Sequence, residues 1–230
     1  MTNRSGSGIR RSVQGAPATL AILIATLVVF VVTAIQSRSI GDNLVFSSLG
    51  DSWILFPPEM HTPLSLLRAV GAMFVHIGPT HLLLNGIMIF FLGREIERAL
   101  GTARFVMAYF ISGVGASLMV MLVDPISRTA GASGAVYGLM AVILGLALRN
   151  RTDIRAPLTL ILVNLGYSII ATNVSLWGHV GGLAAGTILA WPLIAWKPAA
   201  RNGFALVMFA AEWAAIWLVG QQLYAPALGL

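Results

Sequence analysis

The chain has 230 residues, of which 57% are hydrophobic and only 10% charged, and its mean hydropathy is +0.86. Soluble domains carry about a quarter charged residues, so a chain this apolar could not keep a water-facing surface, and we expect an all-α polytopic membrane protein. The net charge of +6 does not indicate nucleic-acid binding, because the basic residues are scattered singly through connecting segments. The absence of cysteine excludes disulfides, thiolate metal sites and a cysteine nucleophile.

Apolar runs long enough to cross a bilayer predict seven transmembrane helices. The first run follows Arg10 and Arg11, but it is longer than a signal-peptide core, so we interpret it as a retained helix. Residues 37–79 are charged and proline-rich yet partly apolar, which predicts a long interfacial loop. The uncharged stretch 156–196 holds two spans, divided at the polar residues 172–175. The predicted spans are residues 16–36, 80–93, 105–123, 131–148, the two halves of 156–196, and 204–223.

The distribution of Lys and Arg predicts the orientation of these spans. With a cytoplasmic N-terminus, eleven basic residues fall on the cytoplasmic side and only three, Arg38, Arg68 and Arg128, fall on the other. The long loop then faces away from the cytoplasm. The predicted organisation is a cytoplasmic N-terminal segment (1–15), a transmembrane core (16–196) with its long loop at about 37–79, and a seventh helix with the C-terminus (197–230).

A serine flanked by glycines begins the fourth span. Polar groups at membrane depth are costly and usually face the bundle interior or a cavity. Gly131 and Gly134 permit a tight turn around Ser133, and the free N–H groups at a helix start would stabilise a developing oxyanion. For this tetrapeptide alone, an N-cap serine on a small-residue packing face is the favoured interpretation.

His179 lies among glycines in the sixth span. Gly182 and Gly186 fall near its face and form a smooth strip. This strip could dock on Gly134 and Gly138 of the fourth span, which would bring the imidazole to the serine. A histidine is the ordinary base that activates a hydroxyl nucleophile. A histidine hydrogen-bonded inside the bundle explains the residue equally well when it is taken alone.

His81 and Asn85 are four residues apart and therefore share one face of the second span. Two side-chain donors aimed at one point suit an acyl-transfer oxyanion, and hydrogen bonding between helices is the alternative. His76 is expected at the edge of the loop. No acidic residue is placed to complete a triad, so we predict a Ser–His dyad in which Tyr137, one turn after the serine, packs against the imidazole.

In this order, the motifs resemble those of the rhomboid family of intramembrane serine proteases. The resemblance covers about residues 64–190. The matching segments are residues 76–85 (HIGPTHLLLN), 93–101 (GREIERALG), 131–137 (GASGAVY) and 179–183 (HVGGL). It implies a six-helix rhomboid-like bundle, to which the seventh span adds an extra C-terminal helix.

The resemblance also implies roles for individual residues. Ser133 would be the nucleophile, and His179 would act first as general base and then as general acid. His81, Asn85 and the Ser133 backbone N–H would form the oxyanion hole. The family often has a Trp-Arg pair in the long loop, where this chain has Leu67 and Arg68. The arginine would keep its anchoring role, while the missing tryptophan would affect loop placement and substrate gating and not the chemistry.

We therefore expect a serine endopeptidase that cleaves transmembrane protein substrates near the non-cytoplasmic face of the bilayer, with no cofactor and no metal. A short N-terminus without an Arg- and Ser-rich presequence favours a bacterial cytoplasmic membrane. Two alternatives stay open. One is a metal or ion transporter that uses His76, His81 and His179, although no internal repeat is visible. The other is a non-catalytic protein that binds membrane helices.

Overall fold

The structure is a computed structural model that describes residues 15–172 and 174–224. This part of the chain is helical, apart from turns and one isolated antiparallel bridge between Leu55 and Thr129, which confirms the predicted all-α fold. Apart from Gly15, the predicted cytoplasmic N-terminal segment lies outside the described residues, as does Asn173 in the predicted polar break. The α-helices are α1 (Pro17–Ser37), α2 (Ser48–Trp53), α3 (Arg68–Gly71), α4 (Gly78–Met88), α5 (Arg94–Leu100), α6 (Thr102–Val123), α7 (Ser133–Asn150), α8 (Arg155–Ile170), α9 (Leu176–Ala195) and α10 (Pro198–Val219).

Five of these helices are long and apolar enough to cross a membrane, namely α1, α6, α7, α9 and α10 together with its last turn to Tyr224. The chain is therefore an integral multi-pass membrane protein. The other two predicted spans correspond to α8, a shorter apolar helix of 16 residues, and to α4, which continues through a π-helical turn at Ile89–Gly93 into α5. The sequence pattern did not predict this π-helical turn, because a change from α-helical to π-helical hydrogen bonding does not alter the hydrophobicity of the segment, which is what the prediction used.

Helices α6, α7 and α9 form the centre of the bundle. In the apolar stretch of each of these three helices, 56 to 61% of the residues are buried inside the protein, against 28% in α1 and 22% in α10. The predicted contact between α7 and α9 is present: a Cβ atom on Gly182 would overlap the carbonyl of Gly134, and one on Gly186 would overlap the backbone of Gly138. The two helices run parallel, and their first turns lie side by side at the same end of the bundle.

The long loop is folded back on itself by Arg68. Its guanidinium donates to the carbonyls of Asp51 and Ile54, the second at 2.9 Å, and forms an ion pair with Glu59. Leu67, the preceding residue, is exposed. Arg68 thus ties α3 to the segment around α2.

Glu97 ties the opposite end of the bundle together. Its carboxylate accepts hydrogen bonds from the backbone N–H groups of Ala18 and Thr19 and from the hydroxyls of Thr19 and Thr102, at 2.7 to 3.0 Å. Burial raises the pKa of Glu97, but these hydrogen bonds outweigh it and hold the pKa below its usual value. The carboxylate thereby caps the otherwise unpaired start of α1.

Candidate active site

Ser133 is the first residue of α7, and the turn before it is tightly held. Gly131 has φ +119°, a conformation that L side chains rarely adopt, and its N–H donates to the carbonyl of Ala72 at 2.8 Å. A Cβ atom at this glycine would lie 2.5 Å from Cε1 of His81. The turn therefore needs glycine both for its conformation and for the close approach of the imidazole.

The structure brings Ser133 and His179 together across the α7–α9 contact. Nε2 of His179 lies 2.8 Å from Oγ of Ser133, and the Tyr137 ring stacks on the imidazole with centroids 4.3 Å apart and planes 15° apart. Ser175 caps the start of α9 by accepting a hydrogen bond from the N–H of Gly178, so the histidine sits in the first turns of a fixed helix. Stacking and capping together limit the rotation of the imidazole.

His81 lines the same cavity as Ser133 and His179. Its Nδ1 accepts a hydrogen bond from the N–H of Ile77 at 3.3 Å, so the proton of the neutral ring is on Nε2. That nitrogen faces Gly131, where a Cβ atom would lie 2.6 Å from it. His81 thus presents an N–H donor beside the turn that carries the serine.

Asn85 is buried one helical turn further along α4, and its side-chain amide donates to the carbonyl of His81 at 3.1 Å. It is not among the residues that line the cavity around Ser133. The structure therefore gathers three of the four predicted side chains, and it turns the fourth towards its own helix.

The cavity has a volume of about 260 Å³ and is predominantly polar. Its walls come from the start of α4, the segment before α7 and the start of α9. Besides the candidate catalytic residues, it is lined by Ile77, Asp124, Ser127, Arg128, Thr129, Ala130, Thr172, Val174 and Ser175. A polar cavity of this size is large enough for several water molecules, which a lipid environment would not supply.

Comparison with known proteins connects this geometry to a family. The Rhomboid domain model matches residues 63–196, more than half of the chain, and this stretch contains both Ser133 and His179. The chain belongs to the rhomboid family.

Several proteins that are named as rhomboids are similar to this one. Rhomboid protease GluP of Bacillus subtilis is 33% identical over 124 residues, which is 52% of this chain and 24% of GluP. RHOMBOID-like protein 4 of Arabidopsis thaliana is 34% identical over 134 residues, or 55% of this chain and 34% of that protein. Rhomboid-like protease 3 of Toxoplasma gondii is 25% identical over 177 residues, or 73% and 66%. This rhomboid thus spans about a quarter to two thirds of the relatives it matches.

His76 supports the serine turn of this rhomboid through a contact that the sequence did not indicate. The side chain is fully buried; its Nε2 accepts from the N–H of Ala132, and its Nδ1–H donates to the carbonyl of Phe74, both at 3.3 Å. Burial first, and the neighbouring His81 second, lower the pKa of His76 to about 3. A neutral imidazole is what this arrangement requires, since one nitrogen must accept and the other donate.

Asn43 is a further residue that the sequence analysis missed. Its fully buried amide donates to Thr33 at 2.8 Å and to the carbonyl of His76 at 2.9 Å, and it accepts from the N–H of Gly78 at 2.8 Å. Asn43 therefore joins α1 to the segment that carries the histidines. Nothing in an exposed-looking polar loop distinguishes such an asparagine in the sequence.

The histidines of this rhomboid direct their nitrogens at protein groups. Within residues 15–172 and 174–224, no three His, Cys, Asp or Glu side chains form a group that could hold a metal ion. One nitrogen each of His76, His81 and His179 faces a protein N–H or O–H group. His76 faces the N–H of Ala132, His81 faces the N–H of Ile77, and His179 faces the hydroxyl of Ser133.

Proposed function

We propose that this rhomboid is an intramembrane serine endopeptidase that uses Ser133 and His179 as a catalytic dyad. The observation that carries the proposal is the 2.8 Å contact between His179 Nε2 and Ser133 Oγ beside a polar cavity in an otherwise apolar bundle. Nucleophile and base within hydrogen-bond reach are the signature of an activated hydroxyl. The names of the relatives GluP and Rhomboid-like protease 3 describe them as proteases, which supports the same activity here.

The reaction would proceed in two steps. Ser133 Oγ attacks the carbonyl carbon of the scissile bond while His179 Nε2 takes its proton. The imidazolium then gives this proton to the leaving amine nitrogen, the C–N bond breaks, and an acyl-enzyme ester remains. In the second step His179 takes a proton from water, the hydroxide attacks the ester carbonyl, and the proton returns to Ser133 as the carboxylic product leaves.

The oxyanion formed in each step would lie at the start of α7. The backbone N–H of Ser133 has no partner within the helix, and the helix dipole places positive charge there. The Nε2–H of His81 is the second donor that we propose. Asn85 joins as a third only if its amide turns away from the carbonyl of His81, to which it donates in the structure.

The substrates would be transmembrane proteins, cleaved near the non-cytoplasmic face. A peptide bond in a regular helix has its N–H and C=O groups hydrogen-bonded, so the cleaved segment must unwind, which Gly, Pro or polar residues permit. The excess of cytoplasmic Lys and Arg supports a cytoplasmic N-terminus, and we propose a bacterial cytoplasmic membrane as the location. The division into a core (16–196) and a seventh helix (197–230) belongs to the same proposal.

The test uses the full chain, purified and reconstituted in liposomes with a fluorogenic transmembrane substrate. We expect Ser133→Ala and His179→Ala each to lower the cleavage rate by at least about 10³-fold, because nucleophile and base act as a unit. Matched controls are available in Ser52→Ala, an exposed serine bonded to the Ser48 carbonyl, and His61→Ala, a histidine bonded to the Pro58 carbonyl. Both controls should cleave like the parent.

The outcomes separate the proposal from its alternatives. Cleavage by Ser133→Ala at the parental rate refutes the serine mechanism. Loss of activity on chelation, together with an active Ser133→Ala, points to a metal enzyme. A parent that binds the transmembrane substrate but does not cleave it is a non-catalytic helix-binding protein.

A further inference from the structure

The second ring nitrogen of His179 is bonded to a residue for which the motifs assign no role. Nδ1 lies 2.7 Å from Oγ of Ser168, which is on α8 and only 3% exposed. The same oxygen lies 2.8 Å from the hydroxyl of Tyr137 and 2.8 Å from the carbonyl of Asn164. One buried hydroxyl thus contacts both side chains that flank the nucleophile and joins α7, α8 and α9.

The direction of these hydrogen bonds follows from the chemistry of the partners. A serine hydroxyl has one proton to donate and can accept two. The carbonyl of Asn164 can only accept, so it takes the proton of Ser168. The other two partners must then donate: the Tyr137 hydroxyl gives one proton, and Nδ1–H of His179 gives the other. With the Ser168 proton directed at the Asn164 carbonyl, as the structure has it, every donor and acceptor in the cluster has a partner.

This assignment determines what the opposite nitrogen of the imidazole can do. With the proton on Nδ1, the neutral ring has its lone pair on Nε2, 2.8 Å from Ser133 Oγ. If Ser168 instead donated to Nδ1, the ring proton would be on Nε2 and the histidine could not take the proton of the serine. The choice between an active and an inactive tautomer is therefore made at Ser168.

We propose that Ser168 is a positioning residue that holds His179 in the Nδ1–H tautomer and completes a Ser133–His179–Ser168 relay. The proposal rests on the proposed protease function. Ser168 would occupy the place that a carboxylate has in a catalytic triad, but as a neutral group. Its dipole orients the imidazole without providing a full negative charge for the imidazolium, so the effect of its removal should be smaller than for a carboxylate.

The kinetic test compares variants that differ in one hydroxyl. Ser168→Ala should lower kcat by about 10- to 100-fold with KM changed less than about 2-fold, below the roughly 10⁴-fold loss when a triad carboxylate is changed. Ser168→Thr and Ser168→Val add similar volume and differ in the hydroxyl, so Thr should exceed Val by at least about 10-fold in kcat. Thr187→Ala removes an exposed hydroxyl that bonds its own helix at the Leu183 carbonyl and should act like the parent.

A spectroscopic test reports the tautomer itself. The chain has only four histidines, so ¹⁵N-histidine labelling gives few signals, and the His179→Ala spectrum identifies those of His179. In the parent we expect a protonated Nδ1 and an unprotonated Nε2; in Ser168→Ala this single pattern should be lost. A merely structural role for the serine would leave the pattern unchanged in every folded variant.

Three results would overturn the inference. The first is a Ser168→Ala variant with the parental kcat. The second is an equal kcat in Ser168→Thr and Ser168→Val, with both above 10% of the parental value. The third is an Nε2–H tautomer of His179 in the parent. Failure of the proposed function looks different, because Ser133→Ala would then cleave as fast as the parent. If the Thr and Val variants do not fold, the Ala variant and the parental tautomer still decide the question.

Discussion

Substitution of Gly131 by alanine should impair catalysis through His81. The new Cβ atom would lie 2.5 Å from Cε1 and 2.6 Å from Nε2 of His81, whereas ordinary contacts lie at 3.4 to 4 Å. The imidazole must therefore retreat by about 0.9 Å, the difference between 3.4 and 2.5 Å. Alanine at φ +119° adds backbone strain of about 1 to 3 kcal/mol, which lowers the free energy of unfolding.

The expected kinetic effect follows from the loss of one oxyanion donor. Removing such a donor costs about 10² to 10³ in kcat, and displacing it by almost 1 Å should reach the lower end of that range. We would measure kcat and KM of Gly131→Ala in liposomes, together with its thermal unfolding. Gly203→Ala is the matched control, because a Cβ atom there meets nothing within 4 Å.

A double-mutant cycle tests whether the effect passes through the histidine. In a His81→Ala background the added methyl of Gly131→Ala has room, so its further cost in kcat should shrink to less than about 5-fold. The reasoning is refuted if Gly131→Ala keeps more than a third of the parental kcat, or if it costs about 100-fold even without the His81 ring.

Substitutions at three further positions probe the stacking, the helix contact and the far end of the bundle. Tyr137→Phe keeps the ring stacked on His179 and loses only the hydroxyl, so kcat should fall by less than about 5-fold. Tyr137→Ala also loses the stacked ring, so kcat should fall by more than about 10-fold. Steady-state kinetics on both variants checks this. Gly182→Ala forces α7 and α9 apart at a backbone–backbone contact, and we expect a loss of about 100-fold in kcat and a lower unfolding temperature than for Gly203→Ala. Folding lowers the pKa of Glu97, so the contribution of this carboxylate to stability is present above its unfolded pKa and is lost as the pH falls through the folded pKa. The free energy of unfolding measured against pH should show this loss in the parent and not in Glu97→Gln. The cleavage rate per folded molecule of Glu97→Gln should match that of the parent.

The sequence alone determined that this protein lies in a lipid bilayer, and it determined the order of the helices. Apolar runs must be helices in lipid, because every backbone N–H and C=O needs a partner there. The few polar residues in those runs, Ser133 and His179 above all, stood out because lipid does not tolerate them. The glycine spacing further predicted the α7–α9 contact, since two helices approach closely only where small residues face each other.

The tertiary structure alone decided which side chains complete the site. His76 lies at the loop edge, two residues before α4, but its support for the N–H of Ala132 was not predicted, and Asn85 turns to its own helix. Ser168 is eleven residues before His179 on a different helix, and it meets the imidazole only because of how α8 is rotated and placed along its axis. Periodicity reports which face of a helix is buried, but a hydrogen bond of 2.7 Å depends on the relative rotation and height of two helices, which only their packing sets.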